Sequence, residues 1–74
     1  MTSECEFLTF VAALFEVPVE SLSLETAYAS VPQWDSVMHI RLVMEFEAAY
    51  GVSVPLDEVV AVRTLRDLFG YLKR

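Results

Sequence analysis

The sequence predicts an all-α fold with three main helices, one short helix and a long loop after the first helix. Three stretches carry apolar residues at helical spacing, and each follows a residue that can cap a helix N-terminus. No stretch of useful length alternates between apolar and polar residues as a half-buried strand does. The chain has 74 residues, enough for one domain, and we expect residues 1–74 to form it.

The first helix is predicted from Glu4 to Glu16. Ser3 and Glu6 fit a capping box, in which each side chain satisfies a free backbone N–H at the helix start. Pro18 is expected to end the helix, because the residue before a proline disfavours helical backbone angles. The residues at helical spacing that would form the buried stripe are Phe7, Phe10, Val11, Leu14 and Phe15.

A long loop is expected from Val17 to Trp34. Its prolines, serines and threonines argue against a helix; they are Pro18, Ser21, Ser23, Thr26, Ser30 and Pro32. Leu22, Leu24 and Tyr28 are the expected anchors of the loop on the core. Because a loop of this length is uncommon in a small domain, it either has a function or spans the length of the helices.

The second helix is predicted from Ser36 to Tyr50. Asp35 is its expected N-cap, and Gly51 stands where a left-handed C-terminal cap is needed. Val54-Pro55 then breaks the chain, and Leu56 to Val60 are expected to form the short helix.

The last helix is predicted from Leu65 to about Lys73. Thr64 with Asp67 resembles a second capping box at its start. Lys73 and Arg74 would lie at the negative end of the helix dipole. The inner stripe is expected to contain Leu65, Leu68, Phe69 and Leu72.

The second helix has two apolar faces on a helical wheel. The face that we expect in the core contains His39 together with Leu42, Val43, Phe46, Ala49 and Tyr50. Nearly opposite lies an apolar patch of Val37, Ile40 and Met44, flanked by Arg41, Glu45, Glu47 and Ala48. Isolated exposed hydrophobic residues are common on proteins. Three adjacent ones with charged neighbours are more typical of a docking surface, and we interpret the patch in that way.

The segment Trp34-Asp35-Ser36-Val37, followed by an amphipathic helix that ends in Phe46-Glu47-Ala48-Ala49-Tyr50-Gly51, resembles the acyl carrier proteins. Their attachment motif is usually Asp-Ser-Leu at the start of the second helix, and the order of elements is similar over nearly the whole chain. The resemblance implies a four-helix bundle in which Ser36 bears a 4′-phosphopantetheine arm. A separate phosphopantetheinyl transferase would add the arm from coenzyme A. The thiol of the arm would hold an acyl or aminoacyl group as a thioester.

The resemblance also implies a set of functional residues around Ser36. Asp35 is a cap, a recognition residue or both. The expected docking residues are Trp34, Val37, Met38, Ile40, Arg41, Met44, Glu45 and Glu47. The expected partners, besides the transferase, are an acyltransferase or an acyl or aminoacyl ligase, and a ketosynthase or other pathway enzymes.

Some positions depart from the usual pattern of the acyl carrier proteins. Val37 replaces the common leucine, and Trp34 stands where a small residue is more usual. Met38 and Arg41 stand where many members have acidic residues. The Trp-Asp-Ser segment is more similar to freestanding carriers of specialised polyketide or aminoacyl pathways than to the housekeeping fatty-acid carrier.

Composition argues against several other classes of protein. The net charge is −6, with 11 acidic and 5 basic residues, and an acidic surface repels nucleic-acid backbones. No apolar run approaches the roughly 20 residues that span a membrane. The start of the sequence lacks the basic and apolar stretches of a signal peptide. We therefore expect a cytoplasmic monomer that binds neither nucleic acid nor membrane.

Catalytic and metal-binding chemistry is not expected either. His39 lies one turn after Ser36, but on the core face, so we predict a buried histidine bonded to backbone. Cys5 has no cysteine or histidine at ligand spacing, which argues against metal binding. Because Cys5 falls beside the polar face of the first helix, we predict an inert, partly exposed thiol. Tyr28, Trp34 and His39 are candidates for lining an entrance to the core. The chain is predicted to be a substrate of enzymes and not an enzyme; the alternative is an unmodified helical interaction domain that binds a protein through the same apolar patch.

Overall fold

The computed structural model describes residues 3–73 and confirms the predicted all-α fold for them. Within this range the chain forms four α-helices and no strand: α1 (Glu4–Phe15), α2 (Ser36–Tyr50), α3 (Leu56–Val59) and α4 (Leu65–Phe69). Two 3-10 helices lie at Val19–Ser21 and Gly70–Lys73. The expected position of Arg74 at the last helix dipole lies outside the described residues, as does the side chain of Lys73.

The first helix begins as its capping residues predict. The Ser3 hydroxyl accepts a hydrogen bond from the Glu6 backbone N–H at 3.1 Å, and the Glu6 carboxylate accepts one from the Ser3 N–H at 3.2 Å. Glu16 is the C-cap, with a left-handed φ of 60°, so the helix ends one residue earlier than expected. Its buried stripe includes Ala12, which the sequence analysis did not assign.

The core is built around the aromatic ring of Phe7. This fully buried ring lies 5.8 Å from the Phe46 ring of α2 and 5.2 Å from the Phe69 ring of α4, measured between centroids. One side chain of α1 thus joins three helices. The expected stripe residues Phe10 and Leu14 are only half-buried and pack at the edge of the core. The other buried apolar residues are Val11, Ala12, Phe15, Leu22, Leu24, Trp34, Leu42, Val43, Val54, Val59, Val62, Leu65 and Leu68.

The long loop is fixed to the start of α4 by backbone hydrogen bonds. The Tyr28 N–H donates to the Arg63 carbonyl at 2.7 Å, and the Arg66 N–H donates to the Leu24 carbonyl at 2.8 Å. An isolated antiparallel bridge joins Ala27 to Thr64 between these bonds. The loop therefore has defined partners along its length, although it contains only one short helical turn.

An ion pair strengthens this attachment from outside. The Arg66 guanidinium contacts the Glu25 carboxylate through two hydrogen bonds, of 2.6 and 2.9 Å. The hydrogen bond from Arg66 holds the pKa of the Glu25 carboxyl below its usual value. Both side chains are exposed, so water and salt screen the pair and its contribution to stability is small.

The third and fourth helices are shorter than the sequence predicts. The third helix ends at Val59, one residue earlier than expected. The capping box of Thr64 and Asp67 starts α4 as predicted, but the α-helix changes to a 3-10 helix at Gly70. Glycine has a low helix propensity, and the last turn of a helix often tightens into 3-10 geometry. The expected continuous helix to Lys73 was therefore wrong in its last turn.

The two glycines provide a matched test of backbone geometry. Gly51 caps α2 with a φ of +65°, whereas Gly70 has a right-handed φ of −58°, and a Cβ at either position would meet no atom within 4 Å. Gly51→Ala is expected to destabilise the fold by about 1–2 kcal/mol, because only its backbone would be strained. Gly70→Ala is the control and should stabilise the fold by about 0.4–1 kcal/mol. Urea denaturation measures the free energy of unfolding of both variants. Equal changes in the two variants would contradict the left-handed geometry at Gly51 and the right-handed geometry at Gly70.

Candidate functional site

Ser36 is the first residue of α2 and is exposed to solvent. Asp35 caps the helix as predicted: its carboxylate accepts a hydrogen bond from the Met38 N–H at 2.8 Å. The free N–H groups of the first turn and the helix dipole favour negative charge at this end. The Ser36 side chain is thus accessible at a helix start where a bound anion is stabilised.

An open cavity of about 330 Å³ lies beside Ser36, between the start of α2 and the segment that joins α3 to α4. We call it the Ser36 cavity. Its lining is mainly apolar and consists of Tyr28, Ser36, His39, Ile40, Val60, Val62 and Arg63. Tyr28 and His39 therefore lie where the sequence analysis expected an entrance. Val60, Val62 and Arg63 were not assigned to the site, because nothing in the sequence places this distant segment beside Ser36.

Trp34 lies below this site and not on the surface. Its side chain has 0% exposure, so the prediction that it is a docking residue was wrong. The indole packs against the rings of Phe15 and Tyr28, at centroid distances of 5.8 and 5.9 Å. Its N–H donates a hydrogen bond of 3.0 Å to Nδ1 of His39. A large apolar ring with a satisfied N–H is most stable in this interior position.

His39 is a buried histidine bonded to backbone, as predicted. Because the indole N–H of Trp34 is a donor only, Nδ1 of His39 accepts and the imidazole proton is on Nε2. Nε2 then donates to the Val59 carbonyl at 2.8 Å. The Trp34–His39–Val59 chain joins the long loop, α2 and α3 directly beside the Ser36 cavity. Since both ring nitrogens are occupied, His39 offers no base to activate the Ser36 hydroxyl.

The apolar patch of Val37, Ile40 and Met44 is exposed on α2. The three side chains are 77%, 49% and 63% exposed. Together with Ser36, Arg41 and Glu45 they line a shallow groove of about 490 Å³, which we call the α2 groove. The patch has the position that the helical wheel predicted, and Arg41 and Glu45 flank it as expected.

The exposed apolar surface continues onto α3, which the sequence analysis did not predict. Leu56 is 80% exposed and Val60, just after the helix, is 71% exposed. A third cavity joins Ile40 and Met44 of α2 to Leu56 and Val59 of α3. A helix of four residues is too short for a wheel to reveal which side faces solvent, so no sequence signal identified this extension.

Three other residues of α2 differ from expectation. Met38 and Glu47, both predicted to dock partners, are half-buried: Met38 packs against the core, and the Glu47 carboxylate accepts a hydrogen bond of 2.7 Å from the Val54 N–H. Ala49 was expected in the core but is exposed. Arg41 and Glu45 are exposed, as docking residues must be.

Comparison with known proteins identifies the domain. A family model described as the phosphopantetheine attachment site matches residues 5–72. The chain belongs to the acyl carrier protein family. This membership confirms 4′-phosphopantetheine as the cofactor of the domain.

Several curated acyl carrier proteins are similar to this family member. The protein of Rickettsia bellii (strain RML369-C) is 29% identical over 55 residues, which are 74% of this chain and 64% of that protein. The protein of Lactobacillus acidophilus is 27% identical over 63 residues, 85% of this chain and 79% of that protein. The protein of Syntrophobacter fumaroxidans is 38% identical over 40 residues, which are 54% of this chain and 49% of that protein. This chain thus spans just under two thirds of the Rickettsia bellii protein.

The geometry of this carrier domain fits a phosphodiester-linked arm. An accessible hydroxyl, the N-terminal end of a helix and an adjacent arginine are chemically suited to a phosphate, and the apolar walls of the Ser36 cavity suit an alkyl amide chain.

In residues 3–73 no group of three or more potential metal ligands occurs. Cys5 is an exposed free thiol. In the same range, no helix is long and apolar enough to cross a membrane.

The Trp34–His39–Val59 chain can be tested by substitution at its centre. His39→Leu is expected to destabilise the fold by about 1–3 kcal/mol, because the buried Trp34 N–H is left without an acceptor, whereas the Val59 carbonyl keeps a hydrogen bond of 3.3 Å from the Val62 N–H. His39→Gln is the matched control, because its amide supplies both an acceptor and a donor and should retain part of the stability. Urea denaturation provides the comparison. A leucine variant as stable as the unsubstituted protein would show that the hydrogen bonds of His39 contribute nothing to the free energy of unfolding.

Proposed function

We propose that Ser36 carries the 4′-phosphopantetheine arm and that the protein shuttles an acyl or aminoacyl thioester between enzymes of a biosynthetic pathway. The observation that supports this most strongly is the exposed Ser36 hydroxyl at the start of α2, preceded by its Asp35 cap. The Trp-Asp-Ser segment and the cationic Arg41 favour a polyketide or related specialised pathway over the housekeeping fatty-acid pathway.

The attachment reaction requires an external catalyst. The Ser36 oxygen forms a new bond to the phosphorus that bears the pantetheine of coenzyme A, the pyrophosphate bond breaks, and adenosine 3′,5′-bisphosphate leaves. The hydroxyl proton must pass to a base, and a serine hydroxyl is a weak nucleophile without one. His39 is engaged at both ring nitrogens. The base is therefore a group of the phosphopantetheinyl transferase, and this chain supplies an accessible and positioned hydroxyl.

The apolar patch is the proposed docking surface for the enzymes that the carrier visits. These are the transferase, an acyltransferase or acyl or aminoacyl ligase, and a ketosynthase or another pathway enzyme. Val37 and Met44 are exposed and line the α2 groove together with Ser36, so a partner that covers them also approaches the arm. Tethering raises the effective concentration of the thioester at each docked enzyme, which compensates for weak and reversible docking.

Attachment at Ser36 can be tested by intact-mass spectrometry. Incubation with coenzyme A, Mg²⁺ and a promiscuous phosphopantetheinyl transferase is expected to add one phosphopantetheine group to the protein. Ser36→Ala should abolish this gain, because the acceptor oxygen is removed. Ser53→Ala is the matched control, since Ser53 is also exposed but lies in the loop after α2, and it should be loaded fully. Failure to load under conditions that modify a known carrier would favour the unmodified interaction domain.

The docking surface can be tested independently of attachment. Met44→Glu is expected to slow partner-dependent acyl transfer at least tenfold, because a carboxylate at a largely apolar contact must be desolvated when the partner binds. The control is Ala49→Glu, which places the same charge on an exposed part of α2 outside the patch and should leave transfer nearly unchanged. Circular dichroism verifies that both variants keep their helicity. Equal rates for the two variants would exclude the patch as the docking surface.

A further inference from the structure

Two of the few cations of this acidic chain line surfaces that adjoin Ser36. The chain has 5 basic residues and a net charge of −6. Arg63 lines the Ser36 cavity, and Arg41 lines the α2 groove; Ser36 belongs to the lining of both. An arm on Ser36 therefore has two surfaces on which it can lie, each with one arginine.

The backbone of Arg63 is fixed, whereas its side chain is available. Its N–H donates a hydrogen bond to the Asp67 carboxylate at 2.9 Å, and its carbonyl accepts one from the Tyr28 N–H at 2.7 Å. Its side chain is exposed and forms no ion pair within residues 3–73. Arg66 differs, because Glu25 already holds its guanidinium through two hydrogen bonds. The backbone of Arg63 is thus fixed by hydrogen bonds, while the N–H groups of its guanidinium can donate to a ligand.

A cation near Ser36 would stabilise the negative charge of a phosphodiester attached there. The neighbouring Asp35 carboxylate is committed to the helix cap and carries a negative charge next to the modified oxygen. The helix dipole offsets part of this repulsion. A guanidinium adds more, since its fixed fork of N–H groups matches two phosphate oxygens.

The surroundings of the two arginines favour Arg63 over Arg41. Arg41 shares the α2 groove with Glu45, whose carboxylate lowers the positive potential there. No carboxylate lines the Ser36 cavity with Arg63, and the nearby Asp67 carboxylate already accepts hydrogen bonds from the backbone N–H groups of Arg63 and Thr64. The cavity also supplies the apolar contacts of Val60 and Val62 to the arm beyond the phosphate.

We propose that Arg63 is a positioning residue for the arm on Ser36. Its guanidinium pairs with the phosphodiester oxygens and directs the arm over the Ser36 cavity, away from the α2 groove. The apolar patch then stays uncovered while the carrier moves between enzymes. This inference rests on the proposed attachment at Ser36, which the intact-mass measurement tests separately.

The test compares unmodified and phosphopantetheine-loaded protein by NMR. Loading with coenzyme A is expected to shift the Nε–H resonance of Arg63 and to leave that of Arg41 in place. The shift should shrink at 0.5 M salt, because an exposed ion pair is screened. A nitroxide-tagged coenzyme A then reports where the arm lies. Its paramagnetic broadening should be stronger at the amides of Val60 and Val62 than at those of Val37 and Met44.

Substitution at the two arginines provides the matched comparison. Arg63→Gln should reduce the preference for the cavity side at least twofold, Arg63→Lys should retain part of it through charge, and Arg41→Gln should leave it unchanged. Intact mass first shows whether the unsubstituted chain is loaded, and its failure to load contradicts the proposed function; the role of Arg63 is then judged on loaded variants. If all variants load and Arg63→Gln keeps the broadening pattern of the unsubstituted chain, or Arg41→Gln loses it instead, the role of Arg63 is refuted.

Discussion

The hydrogen-bond chain from Trp34 through His39 to the Val59 carbonyl determines how the parts of this small domain meet. It joins the end of the long loop, the first turns of α2 and the end of α3, and every polar atom in it has a partner. In a low-dielectric interior, a fully satisfied polar network favours one arrangement of its members, whereas an incomplete one is costly. The position of Ser36 beside an open cavity follows from this arrangement.

The same interaction accounts for the chemical passivity of the site. A histidine one turn from a serine is a familiar catalytic combination, yet here the imidazole has a structural role and no nitrogen left for the serine. The hydroxyl is accessible but unactivated. This is the behaviour that a carrier requires, because a built-in base beside a thioester would promote its hydrolysis. Chemistry is left to the enzymes that the carrier visits.

Local signals in the sequence were sufficient to predict most of the fold. The limits of α2 and the starts of α1 and α4 follow from capping residues, whose effect depends on positions three or four residues away. The apolar patch followed from helical periodicity. Trp34 was misplaced because its burial depends on a partner, His39, that only the folded helix brings beneath it. Arg63 and Val60 were missed for the same reason, since the loop contacts of Tyr28 place their segment beside Ser36.

The bond between Trp34 and His39 also has an evolutionary consequence. The indole N–H has one acceptor in the interior, and the imidazole nitrogen that accepts it has one donor, so each residue removes the cost of burying the other. A lineage that replaces the indole with a small side chain leaves Nδ1 of the imidazole five positions later without its donor, although Nε2 still donates to the Val59 carbonyl. The two residues should therefore be inherited and lost together, and their joint presence would mark one branch of related sequences.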